Sequence, residues 1–296
     1  SSSGQIVGGA GNSAAGGRSV SAFYAEALFP VLDSLEISLA GRYDRYSDYG
    51  SDTSPKLSVR FTPLENLVLR ASYGQGFRAP TLDILTAQPT FGAPSVIDAQ
   101  TCLALGLTAN CRNPQTNQQN TPQVTSWTIS NPNLQSESSD QFSLGLAWDA
   151  TDWLNLSVDY WDTTIDGRIT TTSANQIIAC LLGNAAGGCP PGISELPFNV
   201  DPPVISNGLG VARAPGTGQI LYVQTGSVNL GTIETDGIDV NLRTQFDFGD
   251  FGNLRSQLQW SRVLHSEIDD VETVGLATPV GQTPKIRASL NTEWTI

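Results

Sequence analysis

Apolar and other residues alternate with a period of two along much of this chain. In "DQFSLGLAWD", Phe142, Leu144, Leu146 and Trp148 oppose Gln141, Ser143, Gly145 and Asp149. In "NLVLRASYGQGFR", Leu67, Leu69, Ala71, Tyr73 and Phe77 share one face, with Arg70, Ser72, Gly74, Gly76 and Arg78 on the other. The last segment sets Ile286, Ala288, Leu290, Trp294 and Ile296 against Lys285, Arg287, Ser289, Asn291 and Glu293. Period two is the signature of a strand with one apolar face. Nine such strands are predicted, at 20–30, 34–46, 54–62, 67–78, 139–149, 153–166, 226–248, 253–265 and 284–296. Most exceed the five or six residues of an ordinary strand and match the roughly 9–11 residues that a tilted strand needs to cross a bilayer.

The connections alternate too. "PVLDSL", "FTPLENL", "WDATDWL" and "FGDFGNL" are short, whereas 44–53, 79–138, 167–225 and 266–283 are predicted to be long loops. Short turns at one end and long loops at the other are the pattern of an outer-membrane barrel. Trp148, Trp153, Phe246, Phe248 and Phe251 flank short turns, and Tyr43, Tyr46, Tyr73 and Phe77 lie near the opposite ends, where two interfacial aromatic girdles would fall. Arg42, Lys56, Arg60, Arg70, Arg78, Arg243, Arg255, Lys285 and Arg287 occupy the polar face by parity, with Glu36, Asp44, Asp159, Asp239 and Glu293 as prospective partners. An Arg turned to mid-membrane lipid costs about 2–4 kcal/mol, so these residues point inward. The expectation is an all-β, antiparallel transmembrane β-barrel segment of about nine strands, with short periplasmic turns and long extracellular loops.

Net charge is −13 and charged residues make up 15%, which argues against a nucleic-acid partner. Cys102 and Cys111, and likewise Cys180 and Cys189, lie in Asn/Gly/Pro-rich connections. Their spacing is wrong for zinc and His265 is the only His, so two local disulfides are the reading, with free thiols as the alternative. No nucleophile elbow or HExxH motif accompanies His265, and Asp269, Asp270 and Glu272 lack the spaced loop of a Ca²⁺ site. No catalytic residue, metal or cofactor is therefore assigned. Loop aromatics Phe91, Trp127 and Phe198 are candidates for stacking on a ligand.

Several stretches, in order, resemble TonB-dependent outer-membrane receptors. "SYGQGFRAPTLDIL" is similar to the family's FRAP box, Phe77 to Pro80, and "NPNLQSESSDQFSLGLAW" to its NP-x-L-x-x-E-x-S segment. "LNLSVDYWDTTIDGRI", "NLGTIETDGIDVNL" and "TPKIRASLNTEW" resemble further barrel strands, and "GRYDRYSDYGSDTSPKLSVRFTP" resembles the family's earlier hairpin. The resemblance implies that residues 1–296 are a partial barrel, an interior piece of a cylinder of about 22 strands, without the plug domain and coupling box. It implies energised import of a bulky, scarce nutrient (ferric siderophore, haem, cobalamin or oligosaccharide) across a Gram-negative outer membrane. The implied partners are outer-membrane lipid, an extracellular ligand and a periplasmic TonB-type protein. Arg70 and Arg78 become lumen candidates, and Gly74 and Gly76 positions where a plug or loop could approach. A passive porin and a soluble or surface-anchored β-sheet adhesin are the rival readings.

Overall fold

The computed structural model describes residues 14–183, 189–199, 208–278 and 281–296. The chain begins with strands β1 (Val20–Leu32), β2 (Leu35–Tyr46), β3 (Gly50–Leu64) and β4 (Leu67–Arg78). Helix α1 (Leu82–Thr86), β5 (Thr90–Gly92), α2 (Ala99–Ala104) and β6 (Thr125–Ile129) follow. Two long strands come next, β7 (Glu137–Thr151) and β8 (Leu154–Asp166). After them run β9 (Ile169–Thr171), α3 (Ala174–Leu181), β10 (Ser194–Leu196), β11 (Gly210–Arg213) and β12 (Ile220–Asn229). The last elements are β13 (Thr232–Asp247), β14 (Asn253–Ile268), β15 (Val271–Glu272) and β16 (Ile286–Thr295).

These elements form two compact units. One comprises 20–78, 136–167 and 231–296, and the other 1–19, 79–135 and 168–230. In the first, nine long strands pair in the order β1-β2-β3-β4-β7-β8-β13-β14-β16, with the two-residue β15 also on β14. Every pairing is antiparallel. Register carries the alternation across the whole sheet. Leu32, Leu35, Phe61, Leu69, Leu146, Val158, Val240, Trp260 and Ala288 are successive cross-strand partners, an apolar row from edge to edge. Leu69, Leu144 and Leu290 are exposed, and both buried apolar clusters of the described residues lie in the other unit. A single layer with so continuous an apolar face is suited to lipid rather than water.

Two segments depart from expectation. The long loop predicted at 44–53 is absent: β2 and β3 continue to Tyr46 and from Gly50, with Asp44 opposite Asp52. The ladder outlasts the apolar pattern because its backbone bonds do not require an apolar side chain. The strand predicted at 226–248 is two strands, β12 and β13. They part at Gly231, whose φ of +90° only glycine adopts readily, and where an added Cβ would lie 1.8 Å from Asp269 Oδ1.

The two longest connections, read from sequence as loops, build the second unit. Its sheet runs β10-β11-β12-β6-β5, with β9 also on β12. Helix α3 packs Ala174, Ile177 and Ile178 against Val211, Val223 and Val228. The Ser173 side chain caps α3 by accepting from Gln176 N at 3.2 Å. Both predicted disulfides are present here, Cys102–Cys111 with Cα atoms 5.0 Å apart and Cys180–Cys189 with 5.6 Å.

Candidate functional site

On the polar face of the long-strand unit, another row runs Glu36, Arg60, Arg70, Gly145, Asp159, Asp239, Ser261 and Arg287. Arg60 and Arg70 are directly opposed, an unfavourable pairing. Arg70 turns the other way and crosses β7 to Asp159 on β8. Its Nε reaches Asp159 Oδ1 at 2.9 Å and its Nη2 reaches Oδ2 at 2.7 Å. Gly145 makes this possible, because a Cβ there would stand 1.9 Å from Asp159 Oδ1 and 3.1 Å from Arg70 Nε. Ser157 donates to Asp159 at 3.0 Å, and Ser261 donates to Asp239. Further along the face, Arg42 pairs with buried Asp44 through two bonds of 2.7 and 2.8 Å.

Arg78 stands opposite Glu137, the first residue of β7. Its Nε lies 2.5 Å from Glu137 Oε2 and its Nη2 2.6 Å from Oε1. The Glu137 side chain is 5% exposed and that of Arg78 70%. The Arg of one recognised motif thus holds the Glu of the other, a partner the sequence reading did not name. The visible signal was two charged motif residues at facing strand ends. Asn131, which opens the second motif, ties together its own unit: Nδ2 donates to Ser227 O at 2.9 Å, N donates to Ile84 O at 3.0 Å, and Oδ1 accepts from Asn133 N at 3.0 Å.

Side chains of the adjoining strands lie beside Gly74 and Gly76. A Cβ on Gly76 would be 2.8 Å from Ser139 Oγ, and one on Gly74 3.4 Å from Lys56 Cγ. Gly76 therefore admits the Ser139 side chain of the adjoining strand, while a Cβ at Gly74 would make ordinary contact.

In the second unit Phe91 and Trp127 are cross-strand partners on β5 and β6, edge to face with ring centroids 5.6 Å apart. Trp127 packs on Leu196, Ala212 and Tyr222, while Phe91 is 54% exposed. Phe198 is also exposed and makes no ring contact with either among the described residues. The buried centre of this unit, Asp98 with Arg213, carries no motif visible in the sequence. Asp98 caps α2 through Thr101 N at 2.9 Å and receives Arg213 Nη1 and Nη2 at 2.9 Å each. Burial raises the Asp98 pKa, but the bonds from Arg213 and Thr101 outweigh it and leave the carboxyl below its usual range.

Asp269 and Asp270 form the left-handed turn between β14 and β15, and Glu272 accepts from Val274 N at 2.7 Å. His265 Nδ1 lies 2.8 Å from Asp236, to which Tyr160 also donates at 3.3 Å.

One family description, TonB dependent receptor-like, beta-barrel, matches residues 1–296. The chain belongs to this family. Among solved structures, the siderophore receptor PirA from Acinetobacter baumannii aligns with a TM-score of 0.58 at 15% identity, over 94% of this chain and 31% of that one. A mutant (G324V) of the ferric enterobactin receptor PfeA from Pseudomonas aeruginosa aligns with a TM-score of 0.56 at 15% identity, over 94% and 30%. At that identity the likeness is one of fold. The chain spans about a third of the length of these receptors. No curated protein sequence matches at a significant level. TonB-dependent receptors are transporters, and the long strands of this chain are β-barrel strands of that family.

Proposed function

We propose that this chain is part of a Gram-negative outer-membrane receptor that binds a bulky, scarce nutrient and imports it with energy from a periplasmic TonB-type partner. The observation that carries the reading is the long-strand sheet: one face carries an apolar row from edge to edge, and the other the ion pairs Arg42–Asp44, Arg70–Asp159 and Arg78–Glu137. Such a sheet separates lipid from water. On this reading Arg70 and Arg78 face the lumen, and their ion pairs with Asp159 and Glu137 on the polar face support it.

The second unit is the candidate ligand-facing part. Its only charged residues are Arg18, Arg112, Arg168, Arg213, Asp83, Asp98, Glu195 and Asp201. With so few charges, contact falls to hydrogen-bonding side chains and to exposed rings such as Phe91 and Phe198. Siderophores, for which the similar solved receptor PirA is named, and haem, cobalamin or oligosaccharides all offer surfaces of that kind.

Uptake of radiolabelled candidate nutrients tests this, comparing wild-type cells with cells lacking the receptor gene or the TonB-type protein. Loss of uptake in both strains is the expected result. Uptake that persists without the energy-transducing partner would establish passive permeation instead.

A further inference from the structure

Cross-strand register places two exposed cations on the apolar face of the long-strand sheet, Arg45 near the end of β2 opposite Ser51, and Arg262 within an otherwise uncharged row. Ile37, Val59, Ala71, Leu144, Tyr160, Ile238, Arg262 and Ile286 are successive partners, and only Arg262 is charged. The preceding residue, Ser261, donates to Asp239 on the polar face, so Arg262 is directed to the opposite side. The Arg262 side chain is exposed and makes no ion pair or hydrogen bond among the described residues.

Its height is set by the aromatics. Leu254 shares a row with Phe246 and Trp294, at the short-turn end where Trp153 stacks on Phe246 and Phe248 on Trp294. From Leu254, Arg262 lies about 27 Å along the strand, which is about 20 Å of height at the usual barrel tilt. That approaches the full height of an apolar band. In the row of Arg262 stands Tyr160, which packs on Phe142 with centroids 6.5 Å apart. Beyond it the face turns polar with Asp162, Asp236 and His265. An Arg is costly at the bilayer midplane and nearly free at the interface. Arg262 therefore stands where lipid headgroups begin, and a guanidinium matches a phosphate with paired N–H donors.

We propose that Arg262 binds the phosphate of an outer-leaflet lipid and pins the sheet at that depth. The inference rests on the membrane reading above.

The test uses the intact receptor containing this chain, extracted from outer membranes in mild detergent. Native mass spectrometry counts bound dioleoylphosphatidylglycerol, with dioleoylglycerol, which lacks the phosphate, as control. Wild type is expected to retain one more phosphatidylglycerol than Arg262→Leu, with Arg262→Lys in between and no difference with dioleoylglycerol. Arg262→Gln is read in the same way should the Leu variant fail to fold. Equal lipid counts in folded wild type and variant would overturn the proposal. So would displacement by inorganic phosphate at equal concentration, which would make this a free-anion site. Absence of the wild-type receptor from the membrane fraction would sink the membrane reading and this inference together, whereas equal counts sink this inference alone.

Discussion

Arg70 and Asp159 lie two strands apart and meet over Gly145, the residue whose missing side chain leaves room for their ion pair. The Arg70 side chain is 54% exposed and that of Asp159 28%, so the bond is worth no more than about 1 kcal/mol. Gly145→Ala should lower receptor stability by about that amount, because its Cβ displaces the carboxylate. With Arg70→Ala already present, the same change should cost measurably less. Chemical unfolding of the four proteins of this cycle reads the coupling. Additive effects would mean that Gly145 serves some other contact.

Arg78 and Glu137 should behave as a structural pair. Arg78→Ala deprives a nearly buried carboxylate of its guanidinium, at a cost of about 1–2 kcal/mol once the exposure of the arginine is allowed for. Surface abundance and uptake should fall in parallel, and the exchange Arg78→Glu with Glu137→Arg should restore part of the abundance. Normal abundance with lost uptake would instead place Arg78 in contact with ligand.

Asp98 and Arg213 form a buried pair with side chains 1% and 12% exposed. Asp98→Ala should loosen the second unit by about 3–5 kcal/mol, the usual cost of stranding a buried charge. Asp98→Asn, which keeps an oxygen for the Thr101 N–H, should cost less. The Asp98 carboxyl has a lowered pKa in the folded state. Its contribution is therefore fully present above the unfolded value of about 3.9 and is lost as pH falls through the lower folded value. Limited proteolysis of the receptor should show cleavage within 79–135 and 168–230 increasing below about pH 4 in wild type. In Asp98→Ala the cleavage should already be high at neutral pH. Identical pH profiles in the two proteins would contradict this.

The two disulfides should differ in reactivity. Cys102 and Cys111 are fully buried, whereas Cys189 is exposed. Each bridge closes a loop of about ten residues, worth roughly 2–3 kcal/mol in the chain-entropy account. Mild dithiothreitol followed by alkylation should label Cys180 and Cys189 first, as read by peptide mass. Earlier labelling of Cys102 would mean that α2 opens readily.

How much of this was visible in the sequence depends on period. Leu69, Leu144, Val240 and Leu290 could be placed on one face because strand alternation has a fixed period, and register then only had to align them. The resemblance marks a hairpin over 41–63, but alternation does not show its tight turn at Ser47–Tyr49, because polar residues such as Asp44 and Asp52 hydrogen-bond as well through their backbone as apolar ones. The second unit was hidden for a different reason. Its strands are mostly three to five residues long, too short to display a period, and its core joins segments far apart in sequence, such as Val96, Ile177 and Val223. The aromatic pair was half legible. Phe91 and Trp127 were named as single candidates, but only strand pairing brings them together.

The edges of the long-strand sheet lead to a last prediction. Strand β1 pairs only with β2 and β16 only with β14 among the described residues, and every residue of both strands is exposed. Each edge presents a row of N–H and C=O groups without ladder partners, and in hydrocarbon each such group costs several kcal/mol. Closing the nine strands on themselves would set β1 beside β16 in parallel, because an odd number of alternating strands begins and ends in the same direction. Bacterial barrels of one chain are antiparallel throughout. The 296-residue chain expressed alone should therefore aggregate or require denaturant, and should neither conduct ions nor migrate as a compact species in unheated gels. On the proposed reading of this chain as part of a larger receptor, co-expression with that receptor's other strands should rescue folding by covering both edges. Stable ion conductance by the purified chain in planar bilayers, together with heat-modifiable migration, would show that nine strands suffice and would favour a pore over part of a gated receptor.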